Sequence, residues 1–191
     1  MRELILGGQK SGKSTRAETL AAQWLGQSPA HRAVFIATAR AWDEEMRERI
    51  DRHRRDRAQR VPAMQTVEEP LELAQAITGH SRAGTLLVVD CLTLWLTNLL
   101  MPAVAVQDCS VDPVPAPAIG SHQALLLSAL RAAQGPVVLV SNEIGLGVVP
   151  LGREVRAFVD ALGHLNQEVA AECERVTLMA AGLPLTLKGE S

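Results

Sequence analysis

Short apolar runs alternate with longer amphipathic stretches along most of the chain. The runs TLLVVD (85–90) and PVVLVS (136–141) are continuously apolar, as is typical of central parallel strands buried on both faces. Further strands are predicted at 3–6, 33–39, 65–67, 175–180 and 185–187. Helices are predicted at about 14–25, 42–58, 70–79, 91–101, 121–134 and 152–173. This order predicts an α/β fold with a doubly wound, mainly parallel sheet.

Two segments depart from this alternation. The strands at 175–180 and 185–187, joined by a turn at 182–184, predict a C-terminal antiparallel hairpin. Residues 102–120 contain prolines 102, 113, 115 and 117 and little periodicity, which predicts a surface loop or partly disordered insertion. We expect one domain spanning residues 1–191.

Composition narrows the class of protein. A content of 47% hydrophobic and 21% charged residues is ordinary for a soluble globular protein. The net charge of −2 and the 3% aromatic content argue against a nucleic-acid partner, and no apolar run suggests a membrane span. Cys91, Cys109 and Cys173 are odd in number and far apart, and no signal peptide is recognisable, so we expect a cytoplasmic protein.

The most informative motif joins the first strand to the first helix. Gly7, Gly12, Lys13 and Ser14 fit the phosphate-binding pattern G-x-x-x-x-G-K-[ST]. In such a loop the backbone N–H groups and the helix N-terminus face phosphate oxygens, the lysine reaches the β- and γ-phosphates, and the hydroxyl ligates Mg²⁺. An ordinary glycine-rich turn is the alternative, but the strand and helix on either side favour a nucleoside triphosphate site.

Asp90 ends the strongest predicted strand. A carboxylate at the tip of a buried strand needs a cation or polar partner, and beside a phosphate loop that partner is Mg²⁺ or its water shell. The alternative is a cap on the following helix, since Asp is a favoured N-cap residue.

The segment 42–60 predicts a helix that is acidic at its start and basic at its end. Met46, Ile50 and His53 fall on one stripe of this helix, among several arginines. One interpretation is a solvated, charged helix with an incidental histidine. The other is a nucleophile for nucleotidyl transfer, with neighbouring arginines keeping His53 neutral and binding phosphate.

Asn142 and Glu143 directly follow the fifth predicted strand and precede a glycine-punctuated loop. This position suits contact with a substrate, although simple turn chemistry explains the pattern equally well.

Taken together, these segments give the chain a family resemblance. GGQKSGKS, IATA, DEEMRERIDRHRRDR, TVEEP, VVDCLTLWLTNLL and VSNEIGLGVVP resemble the bifunctional adenosylcobinamide kinase/adenosylcobinamide-phosphate guanylyltransferases of cobalamin biosynthesis. The late segments LNQEVAAECERV and VTLMAAGLPLTLK also match, so the resemblance covers nearly the whole chain apart from residues 102–120.

The resemblance implies a RecA-like P-loop NTPase fold, a homotrimer and two reactions. Adenosylcobinamide is phosphorylated with ATP or GTP, and GTP then donates GMP to adenosylcobinamide phosphate, giving adenosylcobinamide-GDP and pyrophosphate. The family histidine, His53 here, carries GMP covalently, and Mg²⁺ is held by Ser14 and Asp90. The nucleotide contacts that the resemblance implies are Gly7, Gly8, Gln9, Lys10, Ser11, Gly12, Lys13, Ser14, Ala37, Thr38, Ala39, Arg54, Arg55, Asp56, Arg57, Glu68 and Asp90.

Two other functions fit the phosphate loop. A plain small-molecule kinase would use the loop without a covalent step. A nucleotide-sensing module would bind GTP without turnover.

Overall fold

The structure is a computed structural model that describes residues 1–101 and 116–189. Its strands are β1 (Arg2–Gly7), β2 (Arg32–Ala37), β3 (Gln65–Glu68), β4 (Thr85–Asp90), β5 (Val137–Val140), β6 (Arg175–Ala180) and β7 (Leu183–Lys188). Its helices are α1 (Lys13–Gln27), α2 (Glu44–Arg60), α3 (Leu73–His80), α4 (Leu92–Leu100), α5 (Ala116–Ala132) and α6 (Arg153–Glu172). No helix within these residues is both long and apolar enough to cross a membrane.

The seven strands form one sheet in the order β3-β2-β4-β5-β1-β6-β7. All neighbouring pairs are parallel except β6 and β7, which form the predicted antiparallel hairpin. Strands β1, β4 and β5 therefore lie side by side at the centre. Their carboxyl ends meet at one edge of the sheet, and this is where the loops after them are brought together.

Alternate residues of the central strands enter two cores on opposite faces of the sheet. Leu4 of β1 packs with residues of α3, α4, α5 and α6, whereas Ile5 packs with α1 and with Val61, which follows α2. Both side chains are fully buried, and each such side chain contributes about 1.5–3 kcal/mol relative to an exposed one. The two cores confirm the doubly wound fold.

Helix α2 has a different attachment. Only Arg57 of its residues is buried, although Met46 and Ile50 are half-buried on the predicted stripe. The helix is therefore held mainly by polar contacts, described below, and not by an apolar face.

Among the predicted boundaries that shift, three change the local structure. Strand β2 ends at Ala37 and not at residue 39, because Thr38 turns away to bond with the loop after β4. Strand β7 begins at Leu183 and includes Pro184, since an edge strand tolerates a residue without an N–H. Helix α5 begins at Ala116, so residues 116–120 of the predicted proline-rich insertion are helical. The rest of that insertion, 102–115, lies outside the described residues.

Candidate active site

The phosphate loop lies between β1 and α1, at the centre of the carboxyl edge. Gly7 has φ 153° and Gly12 has φ 99°, conformations that favour glycine. A Cβ on Gly7 would lie 2.5 Å from Ser11 Oγ and 2.6 Å from the carbonyl oxygen of Met179. At Gly7 the backbone thus turns more tightly than a residue with a side chain would permit. The next three residues of the loop, Gly8, Gln9 and Lys10, are exposed.

Lys13 closes over this loop. Its Nζ donates a hydrogen bond to the carbonyl oxygen of Gly8 at 2.7 Å, and the residue is 8% exposed. Burial lowers the pKa of Lys13, while Cys91 and Asp90 oppose that shift. The ammonium group is thus held within the curve of the loop, where a bound phosphate would offer it stronger acceptors than a carbonyl oxygen.

Ser14 and Asp90 meet at the start of α1. Ser14 Oγ donates to Asp90 Oδ2 at 2.6 Å, so a hydroxyl and a carboxylate oxygen face the same space beside the phosphate loop. Helix α4 takes its N-cap from Cys91, whose Sγ accepts a hydrogen bond from the N–H of Leu94. The carboxylate of Asp90 is therefore not the helix cap that the sequence also allowed. Two hard oxygen ligands fit Mg²⁺, which usually keeps several waters and binds one or two protein groups with substrate phosphates.

Thr38 keeps the end of β4 in place. Its hydroxyl donates to the carbonyl oxygen of Cys91 at 2.7 Å and accepts from the Cys91 N–H at 2.8 Å. Asn98 Nδ2 donates to the carbonyl oxygen of Thr38 at 2.8 Å. Because the side chain of Thr38 is fully buried and bonded internally, any nucleotide contact at 37–39 would come from the backbone or from Ala39.

Polar contacts dock α2 beside the phosphate loop. Arg60 Nη1 donates to Glu18 Oε2 at 2.5 Å and to Thr15 Oγ1 at 3.3 Å, which ties the end of α2 to α1. Three turns earlier, Arg49 Nη2 lies 2.9 Å from the side-chain oxygen of Gln9, in the amide orientation that satisfies both groups. The helix therefore contacts the phosphate loop itself as well as the helix after it.

His53 lies one turn beyond Arg49 on α2. Partial burial is the largest influence on its pKa and lowers it; Asp90 opposes the shift, and Arg49 and Arg57 add to it. The residue as a whole is exposed, so its burial is only partial. Arg49, one turn earlier, contacts Gln9, so His53 belongs to the part of α2 that docks beside the phosphate loop. From the sequence we attributed a neutral His53 to the neighbouring arginines alone. In the structure, burial is the larger cause of the lowered pKa of His53.

A second feature of this region is a cleft between α2 and β3, and Arg54, Arg57 and Ala58 of α2 line it. Arg54 forms an ion pair with Glu68, and Arg57 stacks over the Phe35 ring at 3.8 Å and donates to Thr66 Oγ1 at 3.3 Å. The cleft has a volume of about 410 Å³ and is lined by Arg54, Arg57, Ala58, Val61, Pro62, Met64, Thr66 and Glu68.

The other two predicted residues of this segment lie apart from that lining. Arg55 is exposed, and Asp56 pairs with Arg60 at 3.6 Å.

The residues after β5 border the phosphate loop directly. The N–H of Glu143 donates to the carbonyl oxygen of Gly7 at 3.1 Å. The N–H of Asn142 donates to Thr93 Oγ1 at 2.8 Å, and Asn166 Nδ2 donates to the Asn142 carbonyl oxygen at 3.1 Å. The loop after the fifth strand therefore lies beside the phosphate loop, and the contact of Asn142 and Glu143 with a substrate stays a prediction.

Sequence reasoning missed Glu18, Arg49 and Arg60, which fix the position of α2. Helical spacing could have identified two of them. Glu18 follows Ser14 by four residues and Arg49 precedes His53 by four, so each shares a helix face with a predicted site residue.

The sheet order, the glycine-bounded loop after β1 and the carboxylate at the end of β4 define a nucleotide-binding P-loop α/β protein. A solved structure with a similar fold is the flagellar accessory protein FlaH from Methanocaldococcus jannaschii, with a TM-score of 0.50 and 12% identity over 99% of this chain and 78% of that one. The family model for cobinamide kinase / cobinamide phosphate guanyltransferase matches residues 3–187, and the chain belongs to this family.

Full-length relatives agree with this assignment. The bifunctional adenosylcobalamin biosynthesis protein CobP of Pseudomonas aeruginosa is 49% identical over 100% of this chain and 99% of its own length. The corresponding CobU protein of Escherichia coli is 34% identical over 98% of this chain and 100% of its own length. The family is one of bifunctional enzymes, with kinase and guanylyltransferase activities on cobinamide and its phosphate.

Proposed function

We propose that this enzyme phosphorylates adenosylcobinamide with ATP or GTP and then transfers GMP from GTP to adenosylcobinamide phosphate through a guanylylated His53. The observation that supports the covalent step is the docking of α2, whose Arg49 contacts Gln9 of the phosphate loop one helical turn before His53. The nucleophile and the triphosphate site thus belong to one region of the molecule.

The phosphate loop has the same task in both reactions. Backbone N–H groups of residues 7–14 and the ammonium of Lys13 bind and neutralise the phosphates. Mg²⁺, held by Ser14 and Asp90, would supply further charge neutralisation on the phosphate oxygens. In the kinase step the hydroxyl oxygen of the acceptor forms a bond to the γ-phosphorus, the bond to the nucleoside diphosphate breaks, and the hydroxyl proton leaves to solvent or a nearby base.

In the second reaction a neutral ring nitrogen of His53 attacks the α-phosphorus of GTP, and pyrophosphate leaves with the electrons of the broken P–O bond. A phosphate oxygen of adenosylcobinamide phosphate then attacks the same phosphorus and releases the imidazole. The lowered pKa of His53 favours the first of these steps, because only the neutral ring has a lone pair to donate.

The remaining predicted contacts divide by location. Gly7 to Ser14 and Asp90 surround the phosphates, whereas Arg54, Arg57 and Glu68 line the cleft beneath α2. That cleft has a volume of about 410 Å³ and is lined by arginine donors and the Glu68 carboxylate, groups with which guanine can pair. The family resemblance extends the proposal to Ala37, Thr38, Ala39, Arg55 and Asp56 as further contacts.

The family resemblance also extends the proposal to a homotrimer in the cytoplasm, and sedimentation of the purified protein tests the trimer.

Labelling tests the covalent step. GTP carrying radiolabel at the α-phosphorus, incubated with enzyme and Mg²⁺, should leave a protein-bound label that is labile in acid and stable in base. His53→Ala should abolish this label, and the control His164→Ala should retain it. Persistence of the label in His53→Ala would overturn the role of His53.

The two alternative functions give different results in the same assay. Phosphorylation of adenosylcobinamide with no α-label at any stage would indicate a plain kinase. Binding of GTP with no turnover when adenosylcobinamide is supplied would indicate a sensing module.

A further inference from the structure

A contiguous apolar loop stands at the edge of the phosphate site. Between β5 and α6, four large apolar side chains are exposed to an unusual degree, with Leu146 at 81%, Val148 at 97%, Val149 at 74% and Leu151 at 98%. Single exposed apolar residues are normal on a protein surface, but a cluster in one short loop marks a binding surface. We call residues 144–151 the apolar loop.

The backbone of this loop is fixed at both ends. At its start, the N–H of Gly145 donates to Glu143 Oε1 at 3.0 Å, and the N–H of Glu143 donates to Gly7 at 3.1 Å. At its end, Arg156 Nη1 donates to the carbonyl oxygens of Pro150 at 2.9 Å and Leu151 at 2.5 Å. The exposed side chains are therefore presented on a held backbone, which reduces the entropy lost when a ligand binds.

Its location restricts what can occupy it. The hydrogen bond from Glu143 to Gly7 joins the loop to the first residue of the phosphate loop, so an occupant of this surface borders the phosphoryl groups being transferred. The acceptor substrate has to lie there, because its hydroxyl group, and later its phosphate, must reach the bound triphosphate.

We propose that the apolar loop is the docking surface for the corrin ring of the acceptor. This inference rests on the proposed function, since it takes adenosylcobinamide and its phosphate as the acceptors. A corrin ring is much larger than a nucleotide and carries methyl groups on a broad apolar surface, with amide side chains at its rim. Val148, Val149 and Leu151 pack against the ring through their exposed side chains.

Serine substitutions at the two most exposed positions test this role with little risk to folding. In Val148→Ser and Leu151→Ser, we expect KM for adenosylcobinamide to rise about tenfold each, with KM for the nucleotide and α-labelling of the enzyme by GTP unchanged. The matched control is Leu187→Ser, which changes an apolar residue that is 55% exposed near the C-terminal end of β7. In this variant, KM for adenosylcobinamide should stay as in the unmodified enzyme.

The possible results separate this inference from the proposed function. Unchanged KM for adenosylcobinamide in both loop variants overturns the docking surface while the proposed function stands. A change in sedimentation without a change in KM overturns it as well and assigns the loop to a contact between copies. Failure of the unmodified enzyme to phosphorylate adenosylcobinamide overturns the proposed function itself, and the inference with it.

Discussion

Arg60 Nη1 lies 2.5 Å from Glu18 Oε2 and thereby joins the last turn of α2 to the second turn of α1. The Glu18 side chain is 4% exposed and that of Arg60 is 40% exposed, so the carboxylate is the buried partner. Because α2 buries little apolar surface, this contact is one of the few that fix the position of the helix carrying His53. Burial raises the pKa of Glu18, and the charge of Arg60 opposes that shift. The attraction of Arg60 therefore does not fully offset the cost of burying the carboxylate.

Glu18→Gln should therefore slow guanylylation of His53 by about tenfold while changing nucleotide affinity little, since it weakens one charge-assisted hydrogen bond. Single-turnover labelling with α-labelled GTP measures the first quantity, and equilibrium titration measures the second. Glu172→Gln removes a more exposed ion pair with Arg131, at 2.6 Å between α6 and α5, and should affect neither. An equal loss of affinity and rate in Glu18→Gln would contradict a role in positioning α2.

Asp90→Asn and Ser14→Ala should each reduce both reactions by at least about a hundredfold, because the proposed mechanism has both steps use phosphates bound to a Mg²⁺ ion at these two residues. The required Mg²⁺ concentration should also rise, and a titration of activity against Mg²⁺ measures it. Asp160→Asn, an exposed carboxylate on α6, is the control. Normal Mg²⁺ dependence in Asp90→Asn would show that this carboxylate does not hold the metal.

Much of this site could be predicted from the sequence because its parts are local. The phosphate loop needs glycine at 7 and 12 for backbone reasons, and the strand that ends at Asp90 is apolar because both its faces are buried. The environment of His53 is not local. Burial of its ring and its interaction with Asp90 depend on the angle at which α2 crosses α1, and pairs such as Arg60–Glu18, 42 residues apart, set that angle. Helical periodicity describes one helix and carries no information on its partner.

The boundary errors have a related cause. The apolar pattern of residues 33–39 continues past the end of β2, since Thr38 and Ala39 are small and compatible with a strand. The strand ends where it does because the Thr38 hydroxyl bonds to Cys91, a residue from a different part of the chain.

The rate of guanylylation should depend on pH through His53. Its pKa lies below the ordinary value of 6.5, so the reactive neutral ring predominates at neutral pH, and the rate should be flat there and fall only as the pH drops below about 6.5. Arg49 lowers the pKa and Asp56 raises it. Arg49→Gln should thus move the acidic decline to higher pH, and Asp56→Asn should move it to lower pH.

Single-turnover labelling between pH 5 and 8 gives the midpoint of that decline for each variant. The midpoint, and not the maximal rate, is the informative quantity, because Arg49 also contacts Gln9 and its loss can slow the reaction at every pH. Coinciding midpoints in all three proteins would mean that a different group limits the rate.

Gly7→Ala should destabilise the protein by about 3 kcal/mol and abolish nucleotide binding, because the added Cβ meets both Ser11 Oγ and the Met179 backbone at a positive φ. Ser11 can rotate, but the carbonyl of Met179 belongs to β6 and can move only with the sheet. Gly79→Ala, in α3 with nothing within 4 Å of the new Cβ, should instead be neutral or stabilise by up to about 1 kcal/mol. Urea unfolding measures both free energies, and nucleotide titration of the folded fraction separates lost binding from lost structure. A Gly7→Ala protein as stable as Gly79→Ala and still able to bind GTP would mean that the loop does not need its tight curl.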